Sequence, residues 1–269
     1  MKFLCRPTEH DLSDRVLLAF AEGTPRTLTL RCGLRVDIKP DEIPVYYGIL
    51  RGCAEAIKED MKAGRPFVYI DHGYFGDTDN VRLSGHYRIV VGGLHPRIPE
   101  WPKSDKLVVA AAERQIKLCD PMILVPPSAP VADFYGVDVA DWIRRFRAVF
   151  PRVVISSKTD NNLDSLLENC RGVFTHSSTA AVKALCMGLP AWCTAERAPV
   201  PNHAKCDRIG LLAWLAERQF TLEEIRNGRH LQFLGRQIEE FRAENLQNPS
   251  VGGGDTPTIG VEHAAARGV

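Results

Sequence analysis

Thr175, His176, Ser177, Ser178 and Thr179 put four hydroxyls and an imidazole into five consecutive positions. Hydroxyls ahead of a helix accept from the unsatisfied N–H groups of its first turn, and together with those amides they form a seat for an oxyanion. The surrounding residues fit that setting. Val173, Phe174 and Thr175 suit a short buried strand, and Ser177 or Ser178 suits an N-cap. Ala180, Ala181, Ala184 and Leu185 recur at helical spacing, Gly188 suits a C-cap, and Pro190 blocks continuation before a second strand ending at Cys193. The expected unit is strand, hydroxyl turn, helix and strand, with a phosphate group held at the turn by Thr175 to Thr179.

A second constellation offers proton transfer. Asp71-His72-Gly73-Tyr74-Phe75-Gly76 follows the apolar run Phe67 to Ile70. An imidazole near its unperturbed pKa of about 6.5 is a competent base at neutral pH. His72, beside Asp71, is therefore the candidate base. His95 is the reserve, since Gly92-Gly93 brings it and Arg97 out after a strand at Tyr87 to Val91. Tyr74 and Arg97 are expected to touch an acceptor or a phosphate. Lys158, after a strand at Val153 to Ser156, is placed to neutralise a diphosphate leaving group, and Ser128 follows a strand at Met122 to Val125. Asp77-Thr78-Asp79 has the spacing of a metal clamp, but a Gly/Asp/Asn loop explains it more simply, so no metal is expected.

These positions share one property: each follows an apolar stretch of strand length, and in open α/β sheets ligands bind outside the carboxyl ends of the strands. Helical spacing fills the gaps, with helices read near Leu12 to Phe20, Arg51 to Lys62, Val139 to Phe150, Leu163 to Asn169 and Arg208 to Arg218. Arg144, Arg145 and Arg147 read as a solvated face of one of them. Thr221 and Glu224 have capping-box spacing, and a final helix spans roughly Arg229 to Ala243. The fold expected is α/β, two Rossmann-like lobes facing a cleft. The division is 1–117 for an acceptor-side lobe, 118–246 for a nucleotide-binding lobe with bracing terminal helices, and 247–269 for a disordered tail. No internal repeat is visible.

The 269 residues are 45% hydrophobic and 25% charged, enough for a sizeable core. A formal net charge of +1 gives no global attraction to a polyanion. Eight scattered cysteines without a C-x-x-C pair read as reduced thiols in a cytoplasmic setting. No apolar stretch reaches the roughly 20 residues that cross a bilayer, and no signal-peptide pattern opens the chain.

The string Thr-His-Ser-Ser-Thr-Ala-Ala-Val-Lys-Ala-Leu-Cys-Met-Gly-Leu-Pro resembles the donor-site segment of GT-B-type glycosyltransferases and capsule-polysaccharide transferase-like proteins, a match that spans about Ile155 to Cys193. The resemblance implies a compact GT-B-like fold and a metal-independent hexosyltransferase-like activity. The co-substrate would be a nucleotide-diphosphate sugar, with no further cofactor. Its diphosphate would rest on the turn, with Ser128, Lys158, Thr175, His176, Ser177, Ser178, Thr179 and Lys183 around the donor. Many relatives carry a ribose-binding Glu where this chain has Lys183, which leaves the nucleotide contact open. The Asp-His-Gly-Tyr-Phe turn is similar to segments of phage-encoded and bacterial glycosyltransferase-like proteins. That similarity implies a hydroxyl acceptor, a hydroxymethylated DNA base among the options, and for a phage protein the host cytoplasm. A non-catalytic nucleotide- or sugar-binding module of the same fold is the alternative.

Overall fold

The computed structural model describes residues 1–29, 38–75, 85–98, 120–156, 163–201 and 207–247. Lys158, Asp77 to Asp79 and the tail beyond 247 lie outside these residues. The described chain forms two α/β units. One comprises Met1–Pro96 and the segment that begins at Arg218; the other is Arg97–Glu217.

The first unit contains β1 (Lys2–Cys5), α1 (Asp11–Gly23), β2 (Thr27–Thr29), β3 (Glu42–Tyr47), α2 (Cys53–Lys62), β4 (Val68–His72) and β5 (His86–Val91). The second contains β6 (Met122–Val125), α3 (Ala129–Tyr135), α4 (Val139–Val149), β7 (Val153–Ile155), α5 (Leu163–Glu168), β8 (Gly172–Thr175), α6 (Ala180–Cys186), β9 (Ala191–Cys193) and α7 (Arg208–Ala216). The chain then returns to the first unit with β10 (Gln219–Thr221), α8 (Leu222–Arg226) and α9 (Leu231–Gln247).

The first sheet has the order β10-β5-β4-β3-β1-β2, parallel from β2 to β4, with β5 antiparallel to β4 and β10 antiparallel to β5. The second is wholly parallel in the order β7-β6-β8-β9. Both parallel portions follow one plan: a first strand flanked by its successor on one side and by the third and fourth strands on the other. The shared topology has no counterpart as a sequence repeat, because it is set by strand and helix order rather than by residue identity.

Binary patterning explains where each core lies. On α1, Val16, Leu17, Ala19 and Phe20 are buried while Leu18 is exposed, and this face joins Ile43, Val45, Val68, Ile70 and Ile89 of the sheet. Phe220, Ile225, Phe233, Leu234 and Ile238 from β10, α8 and α9 complete the same cluster. In the second unit Met122, Leu124 and Phe174 meet Trp142, Phe146 and Phe150. Full burial of each such aromatic is worth about 1.5–3 kcal/mol.

Residues 218–246 were expected with the second lobe as bracing terminal helices; they group with the first unit, and β10 joins its sheet. The three residues of β10 pair with β5, from Gln219 opposite Arg88 to Thr221 opposite His86. A three-residue strand wedged between two helices carries too little alternation to be read. β1 was missed for a similar reason, although it sits between β2 and β3. The capping box of α8 has both halves, with Glu224 N–H donating to Thr221 Oγ1 at 3.1 Å and Thr221 N–H to Glu224 Oε2 at 2.8 Å. Among the described residues no helix is long and apolar enough to cross a membrane.

Candidate functional site

In the second unit β6 leads through α3 and α4 to β7 on one side, while its neighbour β8 leads through α6 to β9 on the other. The chain therefore diverges between β6 and β8, and this switch point is where open α/β sheets bind ligands. Val125 pairs with Thr175, so the segments leaving the two strands start about 5 Å apart. Ser128 closes one segment. The turn Thr175 to Thr179 forms the other.

The turn is held by its own hydroxyls. Ser178 N–H donates to Thr175 Oγ1 at 3.3 Å, and Ala180 N–H donates to Ser178 Oγ at 3.2 Å. The residue in the N-cap position is Thr179, whose side chain makes no cap bond; the cap-like bond to the first turn comes from Ser178. Thr194 and Ala195, which follow β9, donate their N–H groups to the carbonyls of Thr175 and His176 at 3.0 Å each. Trp142 Nε1 donates to Thr194 Oγ1 at 3.1 Å and anchors that brace. α6 is only seven residues long and ends in a Schellman motif: Leu189 N–H bonds Ala184 O, Gly188 N–H bonds Leu185 O, and Gly188 takes a φ of 80°.

His176 is 1% exposed, lies against Tyr135 with ring centroids 4.9 Å apart, and has Nδ1 3.4 Å from Ser177 Oγ. Burial pushes its pKa down to about 4, so at neutral pH it is an uncharged spacer. Lys183 is ion-paired with Asp164 of α5. Ser128 precedes α3 without using its hydroxyl as a cap. Thr175, His176 and Ser177 are buried, whereas Ser128, Ser178, Thr179 and Lys183 are partly exposed.

The first sheet has its own switch point, between β1 and β3, and β4 ends beside it. Here the side chains are aromatic and charged. His72 is the last residue of β4; its ring lies 6.3 Å from Tyr47 and 6.2 Å, stacked, from Tyr87. Tyr47 OH is buried without a hydrogen-bond partner among the described residues, and burial together with the Asp71 carboxylate holds this phenol well above its usual pKa. Asp71 is fully engaged elsewhere. Its Oδ2 accepts from Tyr69 OH at 2.8 Å and from Arg88 Nη2 at 2.7 Å, and its Oδ1 accepts from the His72 N–H at 2.8 Å. Asp71 thus grips the backbone of His72. Arg88 Nη1 donates to His72 O at 2.6 Å, and its guanidinium lies over the rings of Tyr69 and Tyr74.

Gln219 of β10 closes the next turn. Its Oε1 accepts from the N–H groups of Tyr74 and Phe75 at 2.8 and 2.9 Å, and its Nε2 donates to Phe75 O at 3.2 Å. A Cβ on Gly73 would stand 2.8 Å from both Gln219 Oε1 and His86 O, so only glycine fits. The Tyr74 phenol is buried and pushed up to about 12 by desolvation. His95 is also buried, with its ring 6.2 Å from Tyr74. β5 is antiparallel, so its carboxyl end lies opposite Val68, away from His72; the chain turns at Gly92, φ 70°, before His95 meets Tyr74. Arg97 belongs to the second unit and is 4.0 Å from Glu196, both about half-exposed.

The structure therefore groups Ser128 with Thr175 to Thr179 in one unit, and Asp71, His72, Tyr74 and His95 in the other. Arg88, Gln219, Tyr47 and Tyr87 escaped the sequence reading. Arg88 left a signal: an arginine inside the apolar run Tyr-Arg-Ile-Val-Val requires a buried carboxylate. Gln219, 145 residues from Tyr74, left none. Among the described residues no group of three or more His, Cys, Asp or Glu side chains is placed to hold a metal ion.

No protein-family model matches the chain, and no curated protein matches it. Solved structures similar to it include the KpsC β-Kdo 2,4 transferase of Thermosulfurimonas dismutans, 10% identical, with a TM-score of 0.46 over 84% of this chain and 97% of that one. The KpsC β-Kdo 2,7 transferase of the same organism is 12% identical, with a TM-score of 0.43 over 86% and 99%. The functional reading accordingly rests on strand order and on the residues at the two switch points.

Proposed function

We propose that the chain is a glycosyltransferase that takes its sugar from a nucleotide-diphosphate donor, with the diphosphate on the Thr175 to Thr179 turn. The observation that carries this reading is the meeting of that turn with Ser128 at the β6/β8 switch point. It is supported by the resemblance of residues 175–190 to a glycosyltransferase donor segment. His176 is neutral, so the turn recognises phosphate oxygens through hydroxyls and amides rather than through a charged imidazole.

In the reaction the acceptor hydroxyl loses its proton to a base and its oxygen bonds the anomeric carbon of the sugar. The bond from that carbon to the phosphate oxygen breaks, and the nucleoside diphosphate departs with the electron pair. His72 is the proposed base and His95 the reserve, both in the first unit. The His72 N–H donates to Asp71 and Arg88 donates to the His72 carbonyl, which fixes the backbone that carries the ring. Tyr74 and Arg97 remain proposed contacts to acceptor or phosphate, and Lys158 a proposed cation for the leaving group.

The test is thermal unfolding against a panel of nucleotide-diphosphate sugars. A donor at about 100 times its dissociation constant stabilises by roughly 2.7 kcal/mol. A panel without any shift removes the reading. The pairing of Lys183 with Asp164, where the resemblance expects a ribose-binding Glu, favours a second reading: a module that binds a nucleotide sugar without turning it over. Release of nucleoside diphosphate from a bound donor separates the two.

A further inference from the structure

The second sheet has a cleft at its amino edge, at the opposite end of β6 and β8 from the hydroxyl turn. Its volume is about 230 Å³, and Asp120, Pro121, Met122, Phe150, Arg152 and Arg171 are among its lining residues. Each strand is four residues long, which puts roughly 13 Å between this edge and the switch point.

The strand register explains why two arginines meet there. Met122 pairs with Val153 on one side and with Gly172 on the other. Arg152 and Arg171 each stand one residue before those partners, so they flank the start of the central strand with backbones about 10 Å apart. Both arginines line the cleft. Nearby backbone amides are already spent, Arg171 N–H on Pro121 O at 3.1 Å and Val153 N–H on Phe150 O at 3.1 Å, and Pro121 has no N–H. Arg171 Nε is buried and has no hydrogen-bond acceptor among the described residues.

The rest of the cleft narrows the ligand. Pro121, Met122 and the Phe150 ring supply apolar wall. Behind them Gly172 is packed so closely that a Cβ would stand 2.9 Å from the Trp192 ring and 3.0 Å from Met122 Cε, so the wall is already formed. Asp120 offsets one of the two arginines, which favours a monoanion over a polyphosphate. The volume falls below the ~300 to 1,000 Å³ of drug-sized sites. We infer that this edge binds a small monocarboxylate bearing a single ring or short apolar chain, its carboxylate held by Arg171 and Arg152.

Benzoate is the probe and inorganic phosphate the comparison, each titrated into the full chain while the Arg171 Nε–H resonance and the heat of binding are followed. The expected result is a millimolar benzoate affinity, a moved Arg171 Nε–H signal, and a several-fold weaker response to phosphate. Arg171→Gln weakens benzoate at least tenfold. Arg171→Lys, which keeps the charge and loses the planar fork, weakens it a few-fold and serves if the Gln variant folds poorly. Arg144→Gln, on the solvated face of α4, leaves it unchanged. The inference is overturned if benzoate leaves the Arg171 signal in place, if Arg144→Gln weakens binding as much as the Arg171 variants do, or if phosphate binds as tightly as benzoate.

Discussion

The two switch points are built on one strand plan and furnished in opposite ways. Between β6 and β8 the groups are small hydroxyls that bond within five residues of themselves, Thr175 to Ser178 and Ser178 to Ala180. Beside β1 and β3 they are large rings and a buried ion pair, joined by residues far apart: Asp71 with Arg88, and Gln219 with Tyr74 and Phe75. The first arrangement leaves backbone and hydroxyl groups near an edge, as recognition of an anion requires. The second locks a histidine by its backbone while its ring lies among phenols, as positioning of a base requires. Under the proposed function, one plan would serve as a binding surface in one unit and as an orienting scaffold in the other.

The sharpest way to break this contrast is to remove the guanidinium. Arg88 is nearly buried and Asp71 about three-quarters so, and leaving such a carboxylate unpaired costs about 3–5 kcal/mol. Arg88→Leu should lower the stability of the first unit by that order in urea unfolding, and adding Asp71→Asn should restore part of it. A loss under about 1 kcal/mol would mean that the pair behaves like a surface bridge, and the scaffold reading would fail.

Acid probes both units at once. His176 in the second and His230 in the first are fully buried, and desolvation lowers each pKa from 6.5 to about 4. The unfolded chain takes up these protons below pH 6.5, whereas the folded chain resists until about pH 4. Stability is therefore intact above 6.5 and falls as pH drops between the two values, by about 1.4 kcal/mol per pH unit for each histidine, or on the order of 3 kcal/mol for each over the whole interval. His230 is tied to Thr24 Oγ1 through Nε2 at 2.8 Å, so His230→Gln should flatten this dependence in the first unit. A pH profile unchanged by that substitution would show that His230 is not the group that titrates.

Turnover isolates the histidine of the scaffold. His72→Ala should lower turnover at least about a hundredfold, about 2.7 kcal/mol, with nucleotide affinity nearly unchanged. Near-normal turnover in that variant, with loss in His95→Ala, moves the base to His95; activity in both discards a histidine base.

How much of this was legible follows the same contrast. The hydroxyl turn, its strand and the Gly188 stop could be read because every determinant lies within about 20 residues and acts through caps and periodicity. The same holds for the capping box at Thr221 and the buried faces of α1 and α4. The helix start was misjudged by one or two positions, since Thr179 rather than a serine precedes α6. What stayed hidden is long-range pairing. Neither β10 nor β1 has enough residues to show a pattern, and the antiparallel direction of β5, which separates its carboxyl end from His72, is a property of the assembled sheet. The Gln219 clamp is visible only once β10 lies beside β5.

The smallest expected effect bears on the binding half. Ser178 Oγ caps the Ala180 N–H, so loss of the hydroxyl acts on folding as well as on a bound phosphate, and one substitution does not separate the two roles. Ser178→Val removes the acceptor and adds bulk, which should cost about 0.5–2 kcal/mol of stability and weaken a nucleotide-sugar ligand at least tenfold, about 1.4 kcal/mol. Glycine is tolerated at caps with a loss of only a few tenths of a kcal/mol. Ser178→Gly should therefore unfold almost like the parent while still binding the donor about tenfold more weakly. If the glycine variant binds the donor as the parent does, the hydroxyl is a cap and nothing more. The turn would then hold its ligand by backbone amides and by the neighbouring Ser177, Thr179 and Ser128 hydroxyls, and the contrast between a recognising hydroxyl and a positioning scaffold would shift to those residues.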